Sequence, residues 1–407
     1  MISMNNRFYG VLTFVILAFS SAFFTACDNK ETATPKYVFF FIGDGMGMPH
    51  VAATDSYLAY KDGKFGGSCL GFTSFPVTGL TRTWCANSGV TDSAAAGTAL
   101  ACGEKTNKSM LGMAPDSTDL VSIAYKLKEK GYQIGIMSDG PVNHATPAAY
   151  YAHVPYRSLY YEIATQSAGC GFDFLGGSEI IDRYGKDGNQ QDVVEIMEAE
   201  GNCDVCFGLT ELAASTASTK ILLPSTVTTT ADFAGKDANK DYDLENENYV
   251  IADYLKAFLS TVDTGKPFFV MAEQGYVDWS SHGNNIVKVI ENVCHLDDAV
   301  RVAYEFYLQH PDETLIVVTA DHETGGLTFG TKNYKTVWNA LDEAKEKYGE
   351  EIPEDKLKEV DVAAHVNWST TDHTGCPVAV YAIGKGAEKF TGYYENCELP
   401  RRILGEK

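Results

Sequence analysis

Positive charge is scarce in this sequence. Lys and Arg number 32 against 54 Asp and Glu, a formal net charge of −22 over 407 residues. That balance argues against nucleic acid or an anionic membrane surface as a partner. It also means that any phosphate bound here must meet positive charge placed locally, and metal ions are a natural source. Long apolar runs are lacking as well. The run from Val11 to Phe19 is too short, and its flanks too polar, for a transmembrane span. There are no internal repeats, and Gly43-Asp44-Gly45-Met46-Gly47 does not meet the GxGxxG dinucleotide fingerprint.

What is present points first to export. Arg7 precedes the apolar run, small residues follow it, and Thr25-Ala26-Cys27 resembles a bacterial lipoprotein box. The expectation is a signal peptide over 1–26, a lipidated Cys27 and a polar tether over 27–36. Membrane contact would then run only through the lipid anchor, in the periplasm or at the outer membrane. The 10 cysteines suit such a compartment. Without Cys27 the count is odd, so at least one thiol stays free. Cys203-Asp-Val-Cys206 has no second Cys-x-x-Cys and no thioredoxin-like flanks, which favours a local disulfide over a redox or zinc motif.

The chain is long enough for one large α/β domain over 37–407, or at most two domains. Tyr37 to Ile42 is a continuous apolar run, the pattern of a strand buried on both faces. Gln133–Met137, Lys266–Met271, Thr314–Thr319 and Val378–Ile383 read as further strands. Helical patterns alternate with them: Pro49–Tyr60, a helix opening at Ser93, Asp119–Lys130, one from Pro147 to Arg157, Glu162–Gln166, Asp192–Glu200, Asn248–Leu259, Val287–Gln309 and Tyr334–Tyr348. Thr210–Asp243 reads as surface loops, and Glu350–Glu359 as the exposed part of an insertion over about 331–372. The alternation predicts a doubly wound, mainly parallel sheet with helices on both faces and surface insertions.

The chemistry-bearing residues cluster at strand ends. Asp92-Ser93-Ala94-Ala95-Ala96-Gly97-Thr98 places a serine at the start of a helix with no bulk in its first turn. Free N–H groups and the helix dipole favour an anion there, and a metal ion could activate the hydroxyl. Taken alone, the stretch could equally be an N-cap before a core helix. Asp44, then Glu273 with Asp278 and His282, then Asp321 and His322 end three strands. His144 and Thr146 follow a fourth, and His373 precedes the last. Carboxylates converging on one sheet edge repel unless metals lie among them. His with carboxylate suits zinc, and carboxylate with a Thr hydroxyl suits magnesium.

These stretches resemble the alkaline phosphatases, over nearly everything from Tyr37 to Leu404. Asp92 to Thr98 matches the family's nucleophile signature, and Thr319-Ala-Asp321-His322-Glu-Thr-Gly-Gly and His373-Thr-Gly match two more. In motif detail the likeness is to cold-adapted marine bacterial members. The resemblance implies Ser93 as nucleophile, one zinc on Asp278, His282 and His373, and a second on Asp44, Asp321, His322 and Ser93. It also implies magnesium on Asp44, Thr146 and Glu273. Arg157 would bind phosphate oxygens, with Asp92, His144 and Trp279 around the substrate. His144 and Trp279 stand where the enterobacterial enzyme has Asp and Lys, which concerns the third metal and the phosphate contacts. The implied reaction is hydrolysis of small phosphate monoesters through a phosphoserine, and the family is compatible with a homodimer. Two other readings fit less well. A sulfatase, the nearest alternative besides a phosphodiesterase of the same superfamily, needs Pro and Arg after its nucleophile, where Ala95 and Ala96 stand. A non-catalytic metal- or phosphate-binding lipoprotein is expected to have lost Ser93 or a ligand, and none is lost.

Overall fold

A computed structural model describes residues 34–199, 202–224, 249–330, 336–349 and 351–406. The expected signal peptide, Cys27 and most of the tether lie outside the described residues. Among the described residues, no helix is long and apolar enough to cross a membrane.

The strands in chain order are β1 (Tyr37–Gly43), β2 (Val77–Arg82), β3 (Gln133–Ser138), β4 (Phe174–Gly176), β5 (Cys203–Phe207), β6 (Thr219–Leu223) and β7 (Phe268–Gln274). They continue as β8 (Thr314–Ala320), β9 (Glu323–Thr324), β10 (Leu327–Phe329), β11 (Val366–Trp368), β12 (His373–Thr374), β13 (Val378–Gly384) and β14 (Gly392–Glu395). Ten of them make one sheet in the order β14-β2-β13-β8-β1-β7-β3-β4-β6-β5. All neighbours are parallel except β13, which runs antiparallel to both β2 and β8.

Side chains alternate across β1. Val38, Phe40 and Ile42 enter one core, with the Ser93–Cys102 and Ile123–Glu129 helices. Tyr37, Phe39 and Phe41 enter the other, with the Ile251–Thr261 and Ile286–Gln309 helices. This period of two with both faces covered accounts for the unbroken apolar run, and the doubly wound expectation holds. The register is what positions the site. Ile42 pairs with Glu273 on one side and Thr319 on the other, and Ser138 also pairs with Glu273. The central strands therefore end level, and Asp44 and Asp321 emerge side by side.

Several local expectations need correction. The helix expected from Asp119 begins only at Ile123, capped by Ser122. Thr210–Asp243 is not all loop, because it contains the end of the Leu209–Ala214 helix and β6; residues 225–248 lie outside the described residues. Cys203 and Cys206 sit on β5, one in each core. Strand alternation sends them to opposite faces, which rules out the local disulfide. All nine described cysteines are free. Glu350–Glu359 is not simply exposed. Leu341 and Leu357 of the Asn339–Tyr348 and Glu354–Ala364 helices, with Ile352 between them, are buried in a third cluster against Ala53 and Ile290.

Candidate active site

The Ser93–Cys102 helix opens as its sequence suggests. The Oδ1 of Asp92 accepts from the N–H of Ala95 at 3.2 Å and from that of Ser109 at 3.0 Å. Asp92 is thus an N-cap that also ties in a second loop. Gly97 suits the packing, because a Cβ there would lie 3.3 Å from Thr146 and 3.4 Å from Ala149. This presents Ser93 to the sheet edge, with its Oγ 3.3 Å from Nε2 of His322.

Around Ser93 the structure brings together every residue that the sequence pointed to as a metal ligand. Asp278, His282 and His373 offer ligand atoms to one common point, Asp44, Asp321 and His322 to a second, and Asp44, Glu273 and His144 to a third. Thr146 is fully buried near Glu273, and its hydroxyl makes no hydrogen bond. Gly45 makes the close approach feasible. It has φ +70°, and a Cβ on it would meet Asp278 and Thr324 at 2.8 Å.

The histidines are held from behind. Nδ1 of His282 faces the carbonyl of Thr371 at 2.5 Å, and Nδ1 of His373 that of Thr91 at 2.9 Å. Nδ1 of His322 is 3.2 Å from the Thr324 hydroxyl. Each ring therefore turns Nε2 inward, the arrangement by which partners behind a ligand fix its tautomer. Nε2 of His322 lies 3.3 Å from Asp44 and 3.2 Å from Asp321. That of His282 lies 3.2 Å from Asp278.

The electrostatics fit a cation site. Burial, and then the carboxylates of Asp321, Asp278 and Glu273, raise the Asp44 pKa well above its usual range. Burial raises Glu273 and Asp321 likewise. Asp278 goes the other way. Burial opposes ionisation, but the His282 hydrogen bond and the charges of His322, His282 and His373 hold its pKa below normal. Both oxygens of Asp44, Oε1 of Glu273 and Oδ2 of Asp321 are buried and make no hydrogen bond. Buried acceptors without donors are costly, and divalent cations would satisfy them all.

Arg157 is not on a helix. The predicted Pro147–Arg157 helix is only Ala145–Ala148, and Arg157 lies in a turn before the Tyr160–Ala168 helix. Its backbone N–H donates to the carbonyl of Ser109 at 2.8 Å. The guanidinium nonetheless reaches the site, 3.4 Å from Asp92 and 2.9 Å from Nε2 of His144. Burial and then the Arg157 charge push the His144 pKa down to about 3, so His144 is neutral and can accept from Arg157. Trp279 stands edge-on to His144, with ring centroids 5.6 Å apart.

Sequence reasoning missed Asp139. Its Oδ1 accepts from the N–H of Gly275 at 2.5 Å and so caps, from another strand, the Tyr276–His282 helix that carries Asp278 and His282. Its neighbour Ser138 donates to Glu273 at 2.6 Å. The signal was available, because Asp139 follows β3 as Asp44 follows β1.

Fold and site together place a buried serine beside three candidate cation-binding groups on the carboxyl edge of an open α/β sheet. The profile of the alkaline phosphatase family matches residues 35–180, 233–351 and 332–405, and the chain belongs to that family. It is 28% identical to alkaline phosphatase 4 of Bacillus subtilis, covering 93% of this chain and 90% of that one. Among solved structures, the alkaline phosphatase of the Antarctic bacterium TAB5 matches with TM-score 0.71 and 29% identity, covering 92% of this chain and 98% of that one. The cold-active enzyme of a psychrophilic Shewanella sp. matches with TM-score 0.73 and 25% identity, covering 90% and 98%. A variant of the TAB5 enzyme carries magnesium in its M3 site. The protein is accordingly a metal-dependent phosphatase acting on phosphate monoesters.

Proposed function

We propose that the enzyme works through a phosphoserine at Ser93, with two zinc ions and one magnesium ion. The carrying observation is the placement of Ser93 Oγ 3.3 Å from His322, at a cation-type group that shares Asp44 with a second. Asp278, His282 and His373 would hold one zinc, and Asp44, Asp321, His322 and Ser93 the other. Asp44, Thr146 and Glu273 would hold magnesium, with His144 beside it. Bound there, the ions would lower the pKa of the Ser93 hydroxyl and of water, and would neutralise charge on the entering and leaving oxygens.

The chain's own residues do the rest. Ser93 Oγ attacks phosphorus, its bond to phosphorus forms as the ester P–O bond breaks, and the alcohol leaves. Water then attacks the phosphoserine from the vacated side, returning the Ser93 hydroxyl and releasing inorganic phosphate. Arg157, steered by Asp92, presents its planar fork to two non-bridging oxygens. Neutral His144, edge-on to Trp279, stands beside that guanidinium. The N-terminal run of the sequence further supports an exported enzyme, lipid-anchored at Cys27.

The test is acid trapping. Incubation with labelled inorganic phosphate at acid pH should put phosphate on Ser93, and Ser93→Ala should lose the label and lower kcat by roughly 10³-fold or more. Full activity in Ser93→Ala rejects the phosphoserine route.

A further inference from the structure

Glu323 is a carboxylate that the proposed chemistry leaves without a task. It is 1% exposed and directly follows His322. Its stem crosses the backbone of Gly47, where a Cβ would meet Glu323 Cγ at 2.1 Å. Gly47 is the N-cap of the Met48–Lys61 helix. Glu323 belongs to none of the three candidate ion groups. Its Oε1 accepts from the N–H of Gly326 at 2.9 Å and of Leu327 at 3.3 Å. Its Oε2 accepts from the Thr374 hydroxyl.

Those partners lie on both sides of one small ladder. β9 and β12 pair antiparallel, with Thr374 opposite Glu323 and His373 opposite Thr324. Two strands of two residues each hold little on their own. The His373 ring depends on that register. It stacks on His322 at a centroid distance of 3.7 Å, and its Nε2 lies 3.6 Å from Asp278 and 3.2 Å from Nε2 of His282. The third ligand segment is braced alongside. Nδ1 of His50, 4.0 Å from Glu323, already accepts from the N–H of Gly47, so the two do not form an ion pair. Burial lowers the His50 pKa to about 4, in keeping with a neutral ring whose Nε2 donates to Ser281 at 3.0 Å, next to His282.

We propose that Glu323 is a positioning residue that locks the β9–β12 register. It thereby sets how firmly Asp278, His282 and His373 hold their ion. This rests on the reading of that group as a zinc site. Glu323 touches neither substrate nor metal, and it acts through His373.

The experiment measures zinc release from the holoenzyme into excess chromogenic chelator, alongside melting of the zinc-free and zinc-loaded proteins. For Glu323→Ala, one of two zinc ions should leave roughly 10–100-fold faster than in the unmutated enzyme. The other should leave at the original rate, and the zinc-free melting temperature should not change. Glu323→Gln keeps an oxygen for Gly326 and Leu327 and an amide for the Thr374 hydroxyl, so slow release should return. Thr374→Val removes one tether without altering the turn, and should speed the same ion if Glu323→Ala does not fold. Release of both ions at the original rate in Glu323→Ala and Thr374→Val overturns the proposal. So does an equal fall in melting temperature with and without zinc, which marks a general structural role. An unmutated enzyme that takes up no zinc sinks the two-zinc reading itself, which separates that failure from the failure of Glu323.

Discussion

Nδ1 of His373 lies 2.9 Å from the backbone carbonyl of Thr91. Thr91 is two residues before Ser93, so a candidate ligand of one ion group is tied to the backbone that presents the proposed nucleophile. Displacing either moves the other, and loss of the ions should therefore be felt in the fold as well as in the activity.

Chelation is expected to abolish activity and to lower the melting temperature by several degrees. Ions held at a thousand times their dissociation constant stabilise by about 4 kcal/mol each through linkage. Differential scanning calorimetry before and after EDTA, with metal content measured, checks this. An unchanged melting curve in zinc-free protein contradicts it.

Arg157→Ser should cost roughly 2–4 kcal/mol in kcat/KM for monoesters, the scale of removing one preorganised donor. Diesters, which cannot offer the same dianionic pair of oxygens, should lose much less. Arg157→Lys should recover only part, because the planar fork is missing. Rates with p-nitrophenyl phosphate and its bis-ester decide the matter, and equal losses on both reject Arg157 as the monoester-selecting group.

Asp92→Asn separates two duties of that side chain. The amide oxygen can still cap Ala95 and accept from Ser109, while the charge facing Arg157 is gone. Stability should stay within about 1 kcal/mol, whereas KM for monoesters should change as Arg157 loses its guide. A large drop in melting temperature with unaltered KM is the opposite result.

Asp361 is expected to make stability pH-dependent. Burial, partly offset by the hydrogen bond from Trp368, pushes its pKa up to about 7. The folded state thus binds this proton more tightly than the unfolded chain does. Its contribution is fully present below the unfolded pKa of about 4 and is lost as pH rises to about 7. Asp361→Asn keeps an acceptor for Trp368 and should raise the melting temperature at pH 8–9 more than at pH 5–6. An equal shift at both pH values refutes the assignment.

If Cys27 carries the lipid, Cys27→Ala should move the enzyme from membrane to soluble fractions without lowering its specific activity. An unmutated enzyme that already fractionates as soluble removes the anchor.

The clustering of the candidate ligands was legible because parallel strands that end in register advertise themselves. Asp44, Glu273 and Asp321 each close an apolar run, and the pairing of Ile42 with Glu273 and Thr319 brings those ends level. Helix extents were less legible. Pro147-Ala-Ala-Tyr-Tyr-Ala carries a helical composition, yet the helix stops at Ala148 and the chain turns to let Arg157 reach Ser109. Cys203 and Cys206 read as a local motif because spacing is visible in a sequence and strand alternation in a mixed segment is not. Asp139 stood in plain view at a strand end but its partner Gly275 did not, and Glu323 escaped because its partner Thr374 is likewise far along the chain. A hydrogen bond between distant segments leaves no periodicity.

The antiparallel strand β13 has a consequence for biogenesis. It lies between β2 and β8, so the early segment that leads to Ser93 joins the central sheet only after the last tenth of the chain is available. His373 comes equally late, opposite Thr324. Synthesis from the N-terminus thus yields neither a complete sheet nor a complete set of candidate ligands until it is almost finished. Such non-local pairing also folds slowly. If the candidate groups hold ions, uptake must then wait until His373 is in place, and the ions taken up are those of the compartment in which the completed chain finds itself.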